Sequence, residues 1–577
     1  MQDAAGKAVD RSIRVEPPPR PTVPIKSNWP RSARSKPMRG RPTLSAALRL
    51  LAIWLLQTPA TADDACRACH PQAVRGYLET GMGNSISQPA QGRPGSFEHG
   101  FSESAFEIES GDAGMVQSVS RNGLRAEHQV EYVIGSGNAA FGFLIRNDDY
   151  IYQSPVAYYT KRGLWDMAPG FESHPAPDFD RPVLHECLWC HAGRPLPVPF
   201  TQNRYRNPVL EAESISCDRC HGATAAHLAA PASETVINPA RLPPAARDSV
   251  CEQCHLGGEE RVLNPGKTFG DFQPGMRLEQ VLSVYVNDFG TDAPGRFKVV
   301  SHVEQLALSP CYLASGEKMW CGTCHSPHER PEDPESYFRS KCLSCHGEEL
   351  ASRHAPPSED CVGCHMIRRP SYDSGHSAFT DHLIARIPNP DSGPDRGADS
   401  IRAWRGTDDP GLAQRNLGLA YVRLGRRKQR SDYMDEGASL LARLAQAGAL
   451  DSVGLEDLGS ALLSKQAPPE AGLQRLAADL LEAALRGAPE IPSRYRTVAA
   501  AEWQSGNTGR ATELLNRAIE LDPQNRAAYE VLARIQQEAG QPEAALETWE
   551  KYLRLVPQSL HAREAANALR RGSSELE

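Results

Sequence analysis

The sequence predicts a mainly α protein, in which an irregular helix-and-loop domain with a small antiparallel β insert precedes an α-solenoid. Three observations lead to this prediction. Seven copies of the pattern C-x-x-C-H lie within residues 66–365, in stretches interrupted by prolines such as Pro169 and Pro182. Alternating, β-rich runs separated by Asn-Gly and Gly-Ser-Gly lie at about residues 97–160. Beyond residue 410 the sequence repeats with a period of 34 residues.

The first 62 residues predict a disordered extension followed by a signal peptide. Residues 1–37 are rich in proline and basic residues and have no apolar periodicity. A short apolar run at residues 50–56 precedes Ala-Thr-Ala at 60–62, a small-residue cleavage site. Translation from Met38 would give a signal peptide of ordinary length; a longer or twin-arginine leader is the alternative. We therefore expect a periplasmic or extracellular protein without a permanent membrane span.

The C-x-x-C-H motifs account for fourteen of the fifteen cysteines. The cysteines of the first to seventh motif are Cys66 and Cys69, Cys187 and Cys190, Cys217 and Cys220, Cys251 and Cys254, Cys321 and Cys324, Cys342 and Cys345, and Cys361 and Cys364. The histidines that follow these pairs are His70, His191, His221, His255, His325, His346 and His365. Two thiols at this spacing can bind the two vinyl groups of one porphyrin, and the next residue can ligate its iron. Zinc sites, disulfides and thioredoxin-like sites leave the seven histidines unexplained.

The motifs therefore predict about seven covalently bound c-type haems. The first cysteines of the last three motifs are separated by only 21 and 19 residues. About twenty residues cannot both surround a haem and span a long distance. Neighbouring haems should therefore lie close together and form an electron relay.

A low-spin haem needs a second axial ligand, and eleven further histidines are available. The candidates for this distal position are His128, His174, His185, His227, His302, His328, His376 and His382. For each of them a surface or core role is the alternative. Cys311 lies outside the motifs, and a structural thiol, a haem-facing thiolate and a site of intermolecular oxidation all remain open for it.

The C-terminal part follows a linker at residues 388–409, which is rich in Pro, Gly, Asp and Ser. Alanines 477, 511 and 545 and prolines 489, 523 and 557 recur every 34 residues, the period of tetratricopeptide repeats. Residues 410–570 thus predict about four such repeats, which bind a partner or mediate assembly. An unrelated amphipathic bundle is the alternative. The net charge of −8 gives no reason to expect nucleic-acid binding.

Residues 63 to about 570 resemble multihaem c-type cytochromes related to the hydroxylamine-linked tetrahaem electron carriers, in the subgroup with C-terminal tetratricopeptide repeats. The resemblance is carried by the seven motifs, by VEYVIGSG, by CEQCH at Cys251 and by GHSAFTDH around His376 and His382. It implies a heptahaem domain over residues 63–387, with the β insert inside it, in an exported protein that passes electrons to redox partner proteins. The oligomeric state is left open.

The wider group also contains enzymes that act on nitrogen oxides or hydroxylamine. One type replaces the attachment histidine by lysine, and none of the seven motifs here does so. An oxidoreductase that acts on nitrite or hydroxylamine at one open haem is therefore the alternative function, and the sequence assigns no catalytic residue.

Overall fold

The computed structural model describes residues 62–89, 92–112, 114–288, 297–300, 302–352, 359–371, 373–386, 400–464, 471–488 and 490–574. The predicted extension, nearly all of the predicted signal peptide, Pro489 and most of the predicted linker lie outside these residues. None of the helices in the described residues is long and apolar enough to cross a membrane.

The largest sheet has nine antiparallel strands: β1 (Ile86–Ser87), β2 (Gly95–His99), β3 (Ser104–Gly111), β4 (Gly114–Arg121), β5 (Leu124–Ile134), β6 (Ala140–Asn147), β7 (Tyr150–Tyr159), β8 (Leu164–Met167) and β9 (Arg181–Pro182). Strands β2 to β8 pair with their neighbours in chain order, while β1 pairs with β5 and β9 with β7. The turn between β4 and β5 is Asn122-Gly123, with φ of 52° and 71°. This is the backbone geometry that makes Asn-Gly the preferred two-residue hairpin turn.

The predicted mainly α class with a small β insert is wrong. The strands extend from Ile86 to Pro182 and enclose an apolar core of their own, which includes Phe106, Val119 and Tyr159. β3 buries alternate side chains, as expected for a strand with one face on a core. The prediction failed because the alternation in each short run was visible, whereas the pairing that joins the runs into one large sheet depends on tertiary contacts.

The middle of the chain contains short helices and three small sheets. The helices up to residue 386 are α1 (Ala62–Arg67), α2 (Pro71–Leu78), α3 (His185–His191), α4 (Asp218–His221), α5 (Ala225–Ala229), α6 (Pro244–His255), α7 (His302–Leu308), α8 (Pro310–Ser315), α9 (Cys321–Cys324), α10 (Pro334–Ser352) and α11 (Cys361–His365). The small sheets are β10 (Arg194–Pro197) with β11 (Tyr205–Ala212), β12 (Glu260–Leu263) with β13 (Leu282–Asn287) and β16 (Ile401–Ala403), and β14 (Arg368–Pro370) with β15 (Ala378–Thr380).

Residues 302–386, which we call the attachment region, carry the last three motifs, and their described residues form no apolar core of their own. Every buried side chain among the described residues of this region is polar: Gln305, Ser309, Arg369, Ser371, Ser374, Ser377 and Asp381. Apolar residues of its helices are exposed instead, for example Leu308 and Leu313. Short helices need an apolar partner to be stable, and the polypeptide of the attachment region does not supply one.

Nine helices follow in the described part of the chain, and we call residues 410–574 the repeat region. They are α12 (Pro410–Lys428), α13 (Ser431–Gln446), α14 (Ser452–Leu463), α15 (Ala471–Gly487), α16 (Pro492–Gln504), α17 (Thr508–Leu521), α18 (Arg526–Glu538), α19 (Pro542–Leu555) and α20 (Leu560–Ser574). The periodic alanines Ala477, Ala511 and Ala545 are completely buried. Small side chains at these positions let neighbouring helices pack closely, which explains the 34-residue period.

The repeat region packs back onto the rest of the chain at two places. The C-terminal repeats contact the nine-stranded sheet, where the Tyr150 hydroxyl donates to the Asp522 carboxylate at 2.8 Å. Helix α12 contacts the sheet formed by β12, β13 and β16, where the Asn416 amide donates to Asn264 at 2.8 Å and to Ser283 at 3.0 Å. The repeats therefore belong to one packed body together with both sheets.

Candidate haem-binding cavity

The C-x-x-C-H motifs surround one cavity of about 3480 Å³. All seven motif histidines line it, as do all the motif cysteines except Cys364. Pockets for a single small molecule usually measure about 300–1,000 Å³, so this cavity has room for several large ligands. Its lining joins the first motif, at Cys66, to motifs that begin more than a hundred residues later.

Each motif forms about one helical turn, which places its three functional side chains together. In three motifs the backbone N–H of the histidine donates to the backbone carbonyl of the first cysteine. These bonds join His70 to Cys66 at 2.8 Å, His221 to Cys217 at 2.9 Å and His325 to Cys321 at 2.9 Å. Residues three and four apart in a helical turn share one face. Both thiols and the imidazole of a motif can therefore reach the same ligand.

Four motif histidines face a second histidine ring across the cavity. The pairs and the distances between their ring centroids are His70 and His227 at 6.3 Å, His221 and His328 at 5.8 Å, His255 and His302 at 6.0 Å, and His325 and His382 at 6.2 Å. A bond between an imidazole nitrogen and a metal is about 2 Å long, so two imidazoles on opposite sides of one metal have centroids about 6 Å apart. The four distances therefore suit one iron between each pair.

Backbone carbonyls orient several of these rings. The Nδ1–H of His221 donates to the carbonyl of Ile237 at 2.7 Å, and that of His365 to Ala385 at 2.8 Å. A histidine that uses Nδ1 in this way keeps the lone pair of Nε2 for a metal, and such bonds typically fix the orientation of metal-binding histidines.

His302 and His382 are held in the neutral form that ligates metals. Burial, followed by the nearby rings of His382 and His255, lowers the pKa of His302 to about 3. Burial, followed by His325, lowers the pKa of His382 to about 4. The Nδ1 atom of His302 is buried without a hydrogen-bond partner. The two rings lie 4.7 Å apart, so the facing pairs of the fourth and fifth motifs are in contact.

The other four distal candidates lie away from the cavity. His128 stacks on Phe179 at 4.4 Å, and burial lowers its pKa to about 4. The ring of His185 packs against Tyr205 at 5.3 Å. Nδ1 of His174 accepts a hydrogen bond from the Ala176 N–H at 3.2 Å. Nε2 of His376 lies 2.7 Å from the Asp166 carboxylate. Sequence alone gave no signal that would separate these four from the four that line the cavity.

The motif cysteines also contact one another between motifs. The Cys190 thiol hydrogen-bonds with that of Cys254, the Cys251 thiol with that of Cys321, and the Cys342 thiol with that of Cys361. No disulfide joins any of the described cysteines. Nor do the described residues place three or more His, Cys, Asp or Glu side chains around a single metal ion. Cys311 also lines the cavity, and burial raises the pKa of its thiol.

Residues 502–570 match the family model of the tetratricopeptide repeat. The helices within residues 502–570 are tetratricopeptide repeats. This confirms the predicted repeats in the part of the chain that the match covers, and repeats of this kind are protein-interaction modules. No curated protein matches the chain.

Several solved structures resemble part of the chain. A crystal structure of MamA is 20% identical, with a TM-score of 0.23 over 26% of this chain and 84% of that chain. A crystal structure of YrrB, a TPR protein with an unusual peptide-binding site, is 18% identical, with a TM-score of 0.23 over 27% of this chain and 75% of that chain. The first TPR of Spaghetti, bound to an HSP90 peptide, is 18% identical, with a TM-score of 0.19 over 22% of this chain and 99% of that chain.

Proposed function

We propose that this protein is an exported electron-transfer protein that relays electrons through about seven covalent c-type haems and docks a redox partner through its repeats. The observation that carries the proposal is the convergence of all seven motif histidines on one cavity. If the motifs formed separate metal or disulfide sites, we would expect them to lie apart rather than around one cavity.

Two features of the chain support a porphyrin as the ligand. The attachment region has helices but no buried apolar side chain among its described residues, so a large apolar ligand would supply the missing core. Four pairs of facing imidazoles lie at the separation that one iron requires. The motif cysteines and histidines would hold each haem, and His227, His302, His328 and His382 would be distal ligands. When bound, haem supplies a one-electron iron couple.

The chain's own residues would hold the irons in place and tune them. The carbonyls of Ile237 and Ala385 fix the rings of His221 and His365 through Nδ1, which would let Nε2 of each ring ligate an iron. Thiols of the second and fourth, the fourth and fifth, and the sixth and seventh motifs are in contact, so haems attached to these motifs would lie side by side. Such proximity favours electron transfer between haems, while the repeats offer a surface for the partner that donates or receives the electrons.

The test is the mass of protein produced in a bacterial host that attaches c-type haem. We expect a red protein whose mass exceeds that of the polypeptide by seven haems. The double variant Cys361→Ala/Cys364→Ala is the matched control and should lack one haem. A colourless protein with the mass of the bare polypeptide would refute the proposal. N-terminal sequencing of the exported protein tests the predicted signal peptide, and a mature chain that retains residues 1–37 would contradict a start at Met38.

One observation favours the alternative, an oxidoreductase that acts on nitrite or hydroxylamine. Within the described residues, no second histidine ring contacts His191 or His346. A haem without a second protein ligand has room for a small substrate. A high-spin signal in the magnetic spectrum of the oxidised protein, together with turnover of nitrite or hydroxylamine, would favour the enzyme, whereas seven low-spin signals would favour the carrier.

A further inference from the structure

The inner residues of three motifs meet at one buried point. Arg219 lies between the cysteines of the third motif, Trp189 between those of the second and Gln253 between those of the fourth. Nη2 of Arg219 donates to the Trp189 carbonyl at 3.0 Å and to the Gln253 side chain at 3.0 Å. The Gln253 amide donates back to the Arg219 carbonyl at 3.1 Å. The guanidinium carbon lies 3.2 Å from the centroid of the Trp189 ring. One side chain thus links three motifs.

Among the described residues, no carboxylate forms an ion pair with the charge at this junction, and the carboxyl of the adjacent Asp218 acts on it only from a distance. Arg219 is only 6% exposed, and no ion pair involves it within the described part of the chain. Its Nη1 atom is buried without a hydrogen-bond partner, although the residue contributes to the lining of the cavity. The Cys254 thiol also hydrogen-bonds with this side chain. Arginine stays protonated in proteins, so a permanent positive charge is buried among three haem-attachment motifs.

A buried charge without a counter-charge is expensive for a fold to retain. Leucine or methionine at this position would fill similar space without that cost, although neither would donate hydrogen bonds to two other motifs. An arginine here is explained if the bound ligands gain from its charge. Reduction of a haem iron adds an electron, and a nearby positive charge in a medium of low dielectric constant stabilises the reduced state.

We propose that Arg219 is a positioning residue that locks the second, third and fourth motifs together and raises the reduction potentials of the haems attached to them. This inference rests on the proposed function. It also implies that these three haems are mutual neighbours.

The test is a redox titration of the full-length, haem-loaded protein followed by optical absorbance. In Arg219→Met, we expect the midpoint potentials of three haems to fall while those of the others stay unchanged. Arg219→Lys keeps the charge, so the potentials of this variant should stay close to those of the wild type. Gln253→Glu leaves the arginine in place but puts a carboxylate beside it, and should lower the same potentials. Arg517→Met, which removes an exposed charge of the repeat region, is the control and should change nothing.

The outcomes separate the two proposals. A wild-type protein without haem would refute the proposed function, whatever the variants do. Unchanged potentials in Arg219→Met and Gln253→Glu proteins that carry seven haems would overturn the role of Arg219 alone. A fall that Arg219→Lys fails to reverse would overturn the role of its charge. If Arg219→Met does not accumulate, Gln253→Glu decides: a lowered set of potentials supports the inference and an unchanged set overturns it.

Discussion

The repeat region and the attachment region are both built of helices, but they are stabilised in different ways. Helices of the repeat region bury leucine, alanine and tyrosine side chains in apolar cores, and Leu515, Ala518 and Tyr529 are completely buried. In the attachment region all buried side chains among the described residues are polar. Helical sequence alone does not make a self-supporting domain. The repeats supply their own apolar core, whereas the described residues of the attachment region bury no apolar side chain.

The nine-stranded sheet belongs with the repeat region in this comparison. It has its own core, and its contact with the C-terminal repeats is made by specific polar groups. Arg121 forms a two-pronged ion pair with Glu564, with both distances 2.9 Å. Asp178 accepts a hydrogen bond from the backbone N–H of His561 at 3.1 Å. The sheet and repeats should therefore stay folded together when the attachment region does not.

The largest expected effect is the loss of the attachment region in protein made without haem attachment. We expect proteases to cut residues 302–386 of the haem-free chain at least about tenfold faster than residues 410–574, because local opening costs little free energy where no core exists. Limited proteolysis with mass spectrometry of the fragments measures both rates.

The haem-loaded protein is the control, and its attachment region should resist cleavage. The comparison breaks down if residues 302–386 of a colourless preparation are as resistant as the repeats.

A truncation in the core of the repeats should destabilise the protein without affecting haem content. Leu515 is completely buried, so Leu515→Ala should cost about 2–5 kcal/mol in the free energy of unfolding. Leu313→Ala is the matched control in the attachment region: Leu313 is 67% exposed, and its loss should cost less than about 0.5 kcal/mol. Calorimetry of both variants measures the costs, and similar costs at the two positions would contradict the difference between the regions.

Asp178 should make the contact between sheet and repeats weaker at higher pH. Burial, followed by the charge of Asp180, raises the pKa of Asp178 to about 7. The folded state thus binds this proton more tightly than the unfolded state, and stability should fall as pH rises from about 4 to about 7. Asp178→Asn cannot titrate, so its free energy of unfolding should not fall in this way. The difference in free energy of unfolding between variant and wild type should therefore shift in favour of the variant by up to about 4 kcal/mol from pH 4 to pH 8.

Thermal unfolding of both proteins at the two pH values measures this difference. If the difference in stability between the two proteins does not depend on pH, the Asp178 carboxylate titrates normally and is not buried in the contact between sheet and repeats.

The smallest effect is expected at the ion pair between Arg121 and Glu564. Glu564→Gln leaves the buried Arg121 guanidinium without a charged partner and should cost about 1.5–3 kcal/mol, the range for hydrogen bonds to charged groups. Glu520→Gln breaks the exposed pair with Arg517 and should cost less than about 1 kcal/mol. Urea unfolding compares the two, and equal costs would mean that the sheet and repeats are only loosely joined.

Sequence patterns predicted what depends on local chemistry. The C-x-x-C-H spacing identified each group of thiols and imidazole, because one helical turn brings them together in every motif. The 34-residue period predicted the repeats because each repeat packs mainly on its neighbour. Pairing over long distances was not predictable: His227 faces His70, and His328 faces His221, across large separations in the chain. The nine-stranded sheet was underestimated for the same reason.

By itself, the sequence determined which thiols and imidazoles each motif groups together and where the repeats lie, since both follow from short, regular spacings. Only the tertiary structure decided which histidines face one another, which motifs touch through Arg219, and that the attachment region lacks an apolar core. Those properties depend on tertiary contacts between residues that are far apart in the chain, and no local sequence pattern predicts such contacts.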